Sequence, residues 1–406
     1  MNHVHIIRDE AEVAGILDRL VPLIDEQAQA RDASGELPGA ALSAIAESGL
    51  LALNVPRRHG GIQASALTIA QVYRRIAEAD PSVAQIFQPH FAALDALDRV
   101  GCDEQQGFFF GQVLEGAWIG NASTETGGKR GHEHMVTRLS DADADGNYRL
   151  NGRKYYSTGA THARWIAVMA KDTQDRVGVA YVERNAPGLT VEQDWNGFGQ
   201  RGTSSGTCVF DNVRVPRWRV VERWRLFQQP QSHGAFGQLH HIGLDLGVLD
   251  AALKDATNYV NQRSRPSSDS PYARNSEDPV VIQAFGRFAI QQRAAAALLE
   301  QAARTFDRLD PLVRDPHTAP DIAAHAAAEI SMAVAAAKAF TAEQSVKLCS
   351  DVFEFMGAGG TSRSLGLDRH WRNTRTHSLH DPARWKIHHL GNHLLNGIAP
   401  PNTGIL

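Results

Sequence analysis

Along the first 115 positions apolar residues return every three or four places. Val13, Ile16, Leu17, Leu20, Val21 and Ile24 make one stripe, the spacing of a helix that buries a single face. Two more helices are expected over residues 39–48 and 65–79. Between them NVPRRHGG (residues 54–61) interrupts the period with a proline and paired glycines, and predicts a loop. From about residue 118 to residue 221 the pattern turns into short β-branched or aromatic runs, at 165–169, 177–182 and 207–210, each bounded by turn residues. Asp145 and Gly146 separate residues 135–139 from 148–150, a hairpin signature, and Asn151-Gly152 predicts a second tight turn. The helical period then resumes. Val281, Ile282, Phe285, Phe288, Leu298, Leu299 and Phe306 fit one buried face, and residues 321–355 read as an alanine-rich helix anchored by Ile322, Ile330, Val334, Phe340 and Val346 and stopped by Gly357. Small faces let long helices pack closely, as in a four-helix bundle or a subunit contact. Residues 264–278, polar and holding Pro266 and Pro271, predict a long loop of the kind that often carries function. The expected order is helical (residues 1–115), an antiparallel β domain (116–225) and a C-terminal helical bundle (226–406): mainly α with a central β domain.

Composition narrows the function classes. A chain of 406 residues with 43% hydrophobic and 21% charged residues resembles an ordinary soluble globular protein. The net charge of -4 lacks the basic excess that nucleic acid selects. Cys102, Cys208 and Cys349 are odd in number and widely spaced, so neither a disulfide framework nor a metal knuckle is expected. No signal-peptide pattern opens the sequence, and no stretch of about 18 consecutive apolar residues is present. No membrane partner and a cytoplasmic location are the expectation.

Four runs hold candidate chemistry. NGRKYYSTGA (residues 151–160) places Ser157 and Thr158 beside a glycine, where hydroxyl and backbone donors can meet a planar heterocycle; a polar strand end is the plainer reading. GNASTETGG (residues 120–128) offers the amide of Asn121 on a strand leading into a loop, or else a solvated turn. GFGQRGTSSG (residues 197–206) lacks the lysine–hydroxyl pair of a nucleotide-binding loop and is followed by a strand, which excludes an NTPase. Trp195, just upstream, is either a stacking surface for a ring or a core residue. DRHWRNTRTHSLHDP (residues 368–382) is the densest: His377 and His380 lie about one helical turn apart, with Asp381 adjacent and Arg369, Arg372 and Arg375 nearby. No third ligand accompanies the histidines, so a polar catalytic pocket is expected and not a metal site.

These runs resemble the sulfur-acquisition oxidoreductases and dibenzothiophene monooxygenases of the acyl-CoA dehydrogenase superfamily, in the same order from about residue 17 to the C-terminus. The resemblance implies an N-terminal helical domain, a β-barrel-like middle domain, a C-terminal four-helix bundle and a homotetramer with each flavin near a subunit contact. By matched position it implies that Thr158 touches the flavin N5–O4 edge, and that Asn121, Ser123 and Thr124 line the flavin pyrimidine, next to Ser157. It places Trp195 and His90 near the ring and substrate pocket, and Arg263, with Arg265 two residues on, at the flavin phosphates. Arg372 joins the expected cofactor contacts. His377 and His380 match the histidine pair at the active centre of the monooxygenases, with Asp381 orienting one of them. Where acyl-CoA dehydrogenases carry a proton-abstracting glutamate, this chain has His380-Asp381-Pro382, and their Thr-Glu-Pro loop reads Thr124-Glu125-Thr126.

The implied activity is a two-component monooxygenase. A separate NAD(P)H-dependent reductase supplies reduced FMN (FAD is the other option), and a C4a-hydroperoxyflavin oxygenates a small organosulfur substrate with oxygen as co-substrate. The rivals are an FAD-containing acyl-CoA dehydrogenase using Asp381 as base, and a non-catalytic flavin carrier.

Overall fold

The computed structural model describes residues 4–127 and 132–405. Six N-terminal helices are present among the described residues, α1 (Ala11–Asp25), α2 (Ala28–Ser34), α3 (Gly39–Glu47), α4 (Ala66–Ala79), α5 (Pro81–Val100) and α6 (Asp103–Leu114), of which α1, α3 and α4 are the three expected. Local chemistry sets their ends. The Ser65 hydroxyl accepts from Thr68 N–H at the start of α4. Asp80 accepts from Ser82 and Val83 N–H, and Pro81 needs no donor partner at the first turn of α5. Val13, Ile16, Leu17, Leu20 and Ile24 of the expected stripe are buried in α1, and Ile69, Val72, Tyr73 and Ile76 of α4 are fully buried.

The middle segment is one eight-stranded sheet: β1 (Ile119–Ala122), β2 (Arg138–Leu139), β3 (Asn147–Lys154), β4 (Trp165–Lys171), β5 (Val177–Glu183), β6 (Leu189–Val191), β7 (Cys208–Pro216) and β8 (Val220–Val221). Its order is β6-β7-β3-β2-β4-β5-β8, with β1 on β4. Two expectations change. The sheet is mixed, because β1 and β2 both run parallel to β4. Asn151-Gly152 is no turn: both residues lie inside β3, where the register with β7 shifts, and a Cβ on Gly152 would collide with Thr137. Tertiary packing against Thr137 used the glycine for a bulge. Asp145-Gly146 does turn the chain between β2 and β3. Gly146 has φ +76°, and the Asp143 carboxylate accepts from the N–H groups of Asp145 and Asn147.

Three long helices follow: α7 (His233–Gln262), α8 (Pro279–Arg314) and α9 (Pro320–Met356), then α10 (Asp368–His377) and α11 (Ala383–Asn396). The loop between α7 and α8 is as long as expected and holds a single short turn at Asn275–Glu277. By length and hydropathy α9 matches a membrane span, but its small face is packed on α7 and α8. Gly357 ends it at φ +67°. The helix that dominates the core is α7. It lies between α4 and α9, and is buried nearly throughout by Leu239, Ile242, Leu244, Leu246, Val248 and Leu249. Gly243 and Gly247, one turn apart, make this possible. A Cβ on Gly243 would sit 2.6 Å from the Ala70 carbonyl oxygen, and one on Gly247 would strike that of Arg74. Backbone therefore meets backbone where α4 crosses α7. Gly247→Ala should force the helices apart and lower stability by about 1–3 kcal/mol, the usual cost of overpacking; an unchanged melting temperature would contradict this contact.

Candidate active site

Helix α7 carries His241 and Asp245 four residues apart, hence on one face. Helix α10 ends on His377, and α9 brings Lys338, the single charge in residues 331–342. They meet in a line. Lys338 Nζ lies 2.7 Å from Asp245 Oδ2, Asp245 Oδ1 lies 2.6 Å from His377 Nδ1, and His377 Nε2 lies 2.8 Å from His241 Nδ1. All four residues are buried. Burial opposes the charge on Asp245, but His377 and Lys338 outweigh it and hold the carboxyl down at about 2. Burial lowers His377, with Asp245 pulling the other way, and lowers His241 further, helped by His380 and His377. His380 stands outside the line, its ring 4.5 Å from that of His241. Crowding by protein and the nearby His377 lower its pKa, while an exposed edge moderates that effect.

The β-domain half of the site reaches this line through the loop after β6. Thr158 Oγ1 bonds Ser205 Oγ at 2.7 Å, Ser205 donates to Thr203 Oγ1 at 2.8 Å, and Thr203 donates to the Gln200 carbonyl, which also accepts from Trp195 Nε1. Gln200 N–H in turn donates to Asn373 Oδ1, one helical turn before His377. Gln200, Ser204 and Tyr156 all hold positive φ, strain of the kind that gathers at ligand sites. Around this junction several buried polar atoms have no partner among the described residues: Asn121 Oδ1, both amide atoms of Gln200, Thr374 Oγ1 and Thr376 Oγ1. Ser157 Oγ has only the weakly bonding Cys208 thiol beside it. Buried polar groups are normally satisfied, so this lining fits a bound molecule with donors and acceptors along its edge, as the pyrimidine side of a flavin has. Ser123 and Thr124 continue the strip. The Ser123 carbonyl accepts from Lys154, whose ion pair with Glu125 at 2.9 Å anchors the loop, and the Thr124 carbonyl accepts from Tyr155 N–H. Gly128, the end of that run, lies outside the described residues.

Three expectations are corrected, those for His90, Asp381 and Arg372. His90 is fully buried and saturated: Nε2 bonds the Leu51 carbonyl at 2.9 Å and Nδ1 accepts from Ile119 N–H at 3.1 Å, so it is a structural crosslink and has no nitrogen free for chemistry. Asp381 orients neither histidine; its carboxylate is buried 2.8 Å from Lys386 Nζ, which also bonds the Ile405 carbonyl. The orienting carboxylate is Asp245. Arg372 is committed to Asp32, Asp368 and the Phe198 carbonyl, pinning α10 to α2 and to the β-domain loop, which leaves its guanidinium little capacity for a cofactor. Arg263 and Arg265 are exposed. Arg263 lines an open groove of about 270 Å³ with Tyr259, Leu367 and Arg369. It lies 22 residues after His241, about 33 Å away at the helical rise, so one small flavin cannot contact both within one chain. His241, Asp245, Lys338 and Gln200 went unnoticed in the sequence. The available signals were HHIGLD (residues 240–245), with histidine and aspartate at i and i+4, and a lone lysine amid alanines.

A mixed β domain set between helical domains, its loop bonded to the helix that carries His377, defines a class. The chain belongs to the acyl-CoA dehydrogenase superfamily, in the branch of the dibenzothiophene monooxygenases. Models of the acyl-CoA dehydrogenase N-terminal, middle and C-terminal domains match residues 16–117, 120–213 and 239–385. It is 32% identical to the dibenzothiophene monooxygenase of Rhodococcus qingshengii, over 91% of this chain and 90% of that protein. The same identity relates it to the "Probable FMNH2-dependent monooxygenase SfnC" of Pseudomonas putida, over 91% of each. Among solved structures, FMN-bound TdsC from Paenibacillus sp. A11-2 superposes with a TM-score of 0.90 at 29% identity, covering 97% of this chain and 100% of that one.

The saturation of His90 predicts a pH effect. Burial lowers its pKa from 6.5 to about 4, so between these values the unfolded chain takes up a proton that the folded chain refuses. Stability therefore falls as pH drops through this window, by about 1.4 kcal/mol per pH unit for one such histidine. His90→Gln can keep one donor and one acceptor, and should flatten the decline in melting temperature between pH 6.5 and 4.5. An unaltered slope would show that His90 contributes none of it.

Proposed function

We propose that this chain is the oxygenase of a two-component, reduced-flavin-dependent monooxygenase acting on a small organosulfur compound in sulfur acquisition. One observation carries the reading: the only carboxylate at the dehydrogenase base position, Asp381, is locked to Lys386, while His241, His377 and His380 gather where a proton can be moved. The names of the FMN-bound and FMNH2-dependent relatives support the same choice of cofactor. FMN arrives reduced from a separate NAD(P)H-dependent reductase, and supplies the oxygen chemistry as a C4a-hydroperoxyflavin.

The chain's own residues do the rest. Asn121 and Ser157, through side-chain atoms without a hydrogen-bond partner among the described residues, hold the polar edge of the ring, with Thr158, Ser123 and Thr124 beside them. Trp195, half-buried beside Tyr155 and Tyr156, offers a face for stacking. Arg263 and Arg265 reach the phosphate of a flavin bound to a second copy, because the length of α7 keeps them from the ring site of their own chain; this fits a homotetramer. His377 and the two imidazoles beside it, His241 and His380, exchange the proton that oxygen transfer and loss of water require. A cytoplasmic setting accords with three free thiols.

Incubation with a flavin reductase, NADH, oxygen and a panel of organosulfur compounds should yield a product heavier by one oxygen atom. His380→Ala should lower product formation about 100-fold and release hydrogen peroxide instead; normal coupling in that variant would defeat its assignment. Asn121→Ala should weaken FMN binding about tenfold, the loss of one good hydrogen bond, in a fluorescence titration. Anaerobic bleaching of the flavin by an acyl-CoA would overturn the reading in favour of a dehydrogenase.

A further inference from the structure

Three histidines near a flavin site need not share one role, and the hydrogen bonds here distinguish them. We propose that Asp245, His377 and His241 form a proton relay whose working end is Nε2 of His241, with Asp245 and Lys338 as positioning residues. This deepens the reading above by assigning the proton path of the same site to residues on α7 and α9.

Asp245 is a carboxylate paired with Lys338 at 2.7 Å and can only accept. His377 must therefore carry its proton on Nδ1, where it faces Asp245 Oδ1 at 2.6 Å. In a neutral His377 the Nε2 atom is then bare, so the 2.8 Å contact with His241 is made by His241 Nδ1–H. A neutral His241 protonated on Nδ1 has a bare Nε2, and that atom has no hydrogen bond among the described residues. The chain of bonds thus converts a buried carboxylate into a proton acceptor two imidazoles further out.

The step balances. A proton from an O–H group of the reactants bonds to His241 Nε2, the His241 Nδ1–H bond breaks, and that proton bonds to His377 Nε2. His377 becomes an imidazolium whose positive charge rests against Asp245, and the reverse sequence returns the proton. Lys338, on the far side of Asp245, adds to the larger effect of His377 in keeping the carboxylate ionised and limits how tightly the imidazolium is held. His380, its ring tilted against that of His241 and outside the bonded line, has no such partner among the described residues to fix its tautomer.

Imidazole nitrogens report this directly. The full chain, labelled with nitrogen-15 in histidine only, is observed by long-range proton–nitrogen correlation with and without FMN. His241→Gln and His377→Gln assign the signals. The expected pattern is Nδ1–H with bare Nε2 on both His377 and His241. Asp245→Asn, which can present an amide donor to His377, should reverse both tautomers and lower kcat about 100-fold with KM changed less than about threefold. Lys338→Met, which keeps the carboxylate, should leave both tautomers as in the parent chain, so the orientation is tested even if Asp245→Asn folds poorly. A wild-type His241 protonated on Nε2 with bare Nδ1 would overturn the relay, as would an Asp245→Asn chain with unchanged tautomers. These outcomes are independent of the substrate. A chain that never oxygenates anything would defeat the monooxygenase reading while leaving the nitrogen assignments intact.

Discussion

A single buried charge organises the C-terminal half of this protein. Asp245 has no exposed surface, and an ionised carboxylate in such a place is tolerated only when it is paired and hydrogen-bonded. Lys338 and His377 meet that demand from two other helices. The electrostatic requirement of one side chain on α7 therefore fixes where α9 and α10 stand around it. Helix α10 in turn positions the β domain, since Asn373 and Arg372 bind the loop at residues 198–200. The glycines that let α4 lie against α7 serve the same end, by giving that charge a rigid helix to stand on.

This arrangement separates the protein from dehydrogenases of the same fold by chemistry and not by architecture. Butyryl-CoA dehydrogenase of Megasphaera elsdenii shares the fold at a TM-score of 0.81 and 19% identity, which speaks for the scaffold alone. Abstraction of a proton next to a carbonyl needs a base free to reach it. Here Asp381 is buried against a lysine, while the imidazoles are linked to a carboxylate behind them. Such a line suits a proton that must be taken up and given back, with the site's dry interior delaying competition from water.

The length of α7 imposes a second condition. About 33 Å separate the imidazole end of the helix from Arg263, so the phosphate contacts and the ring contacts assigned to one flavin belong to different places on one chain. Arg263 is proposed to serve a flavin on a second copy because of this separation.

How much of this was legible in the sequence depended on the range of the interactions. Helical stripes, the alanine-rich α9, the Asp-Gly hairpin and the glycine that stops α9 are local, set by the period of side chains and by backbone allowance within a few residues, and they appear where the sequence places them. The run containing His377 and His380 also stood out, because density of polar residues on one short helix is a one-dimensional signal. What the sequence did not show were partners distant along the chain. His90 looked free until Leu51 and Ile119 closed on both its nitrogens. Asp381 looked like the companion of its neighbouring histidine until Lys386 claimed it, and Asn151-Gly152 looked like a turn until Thr137 required a bulge. Asp245 and Lys338, 93 residues apart, became a pair only through the packing of α7 on α9, because local periodicity records which face is buried but not which helix covers it.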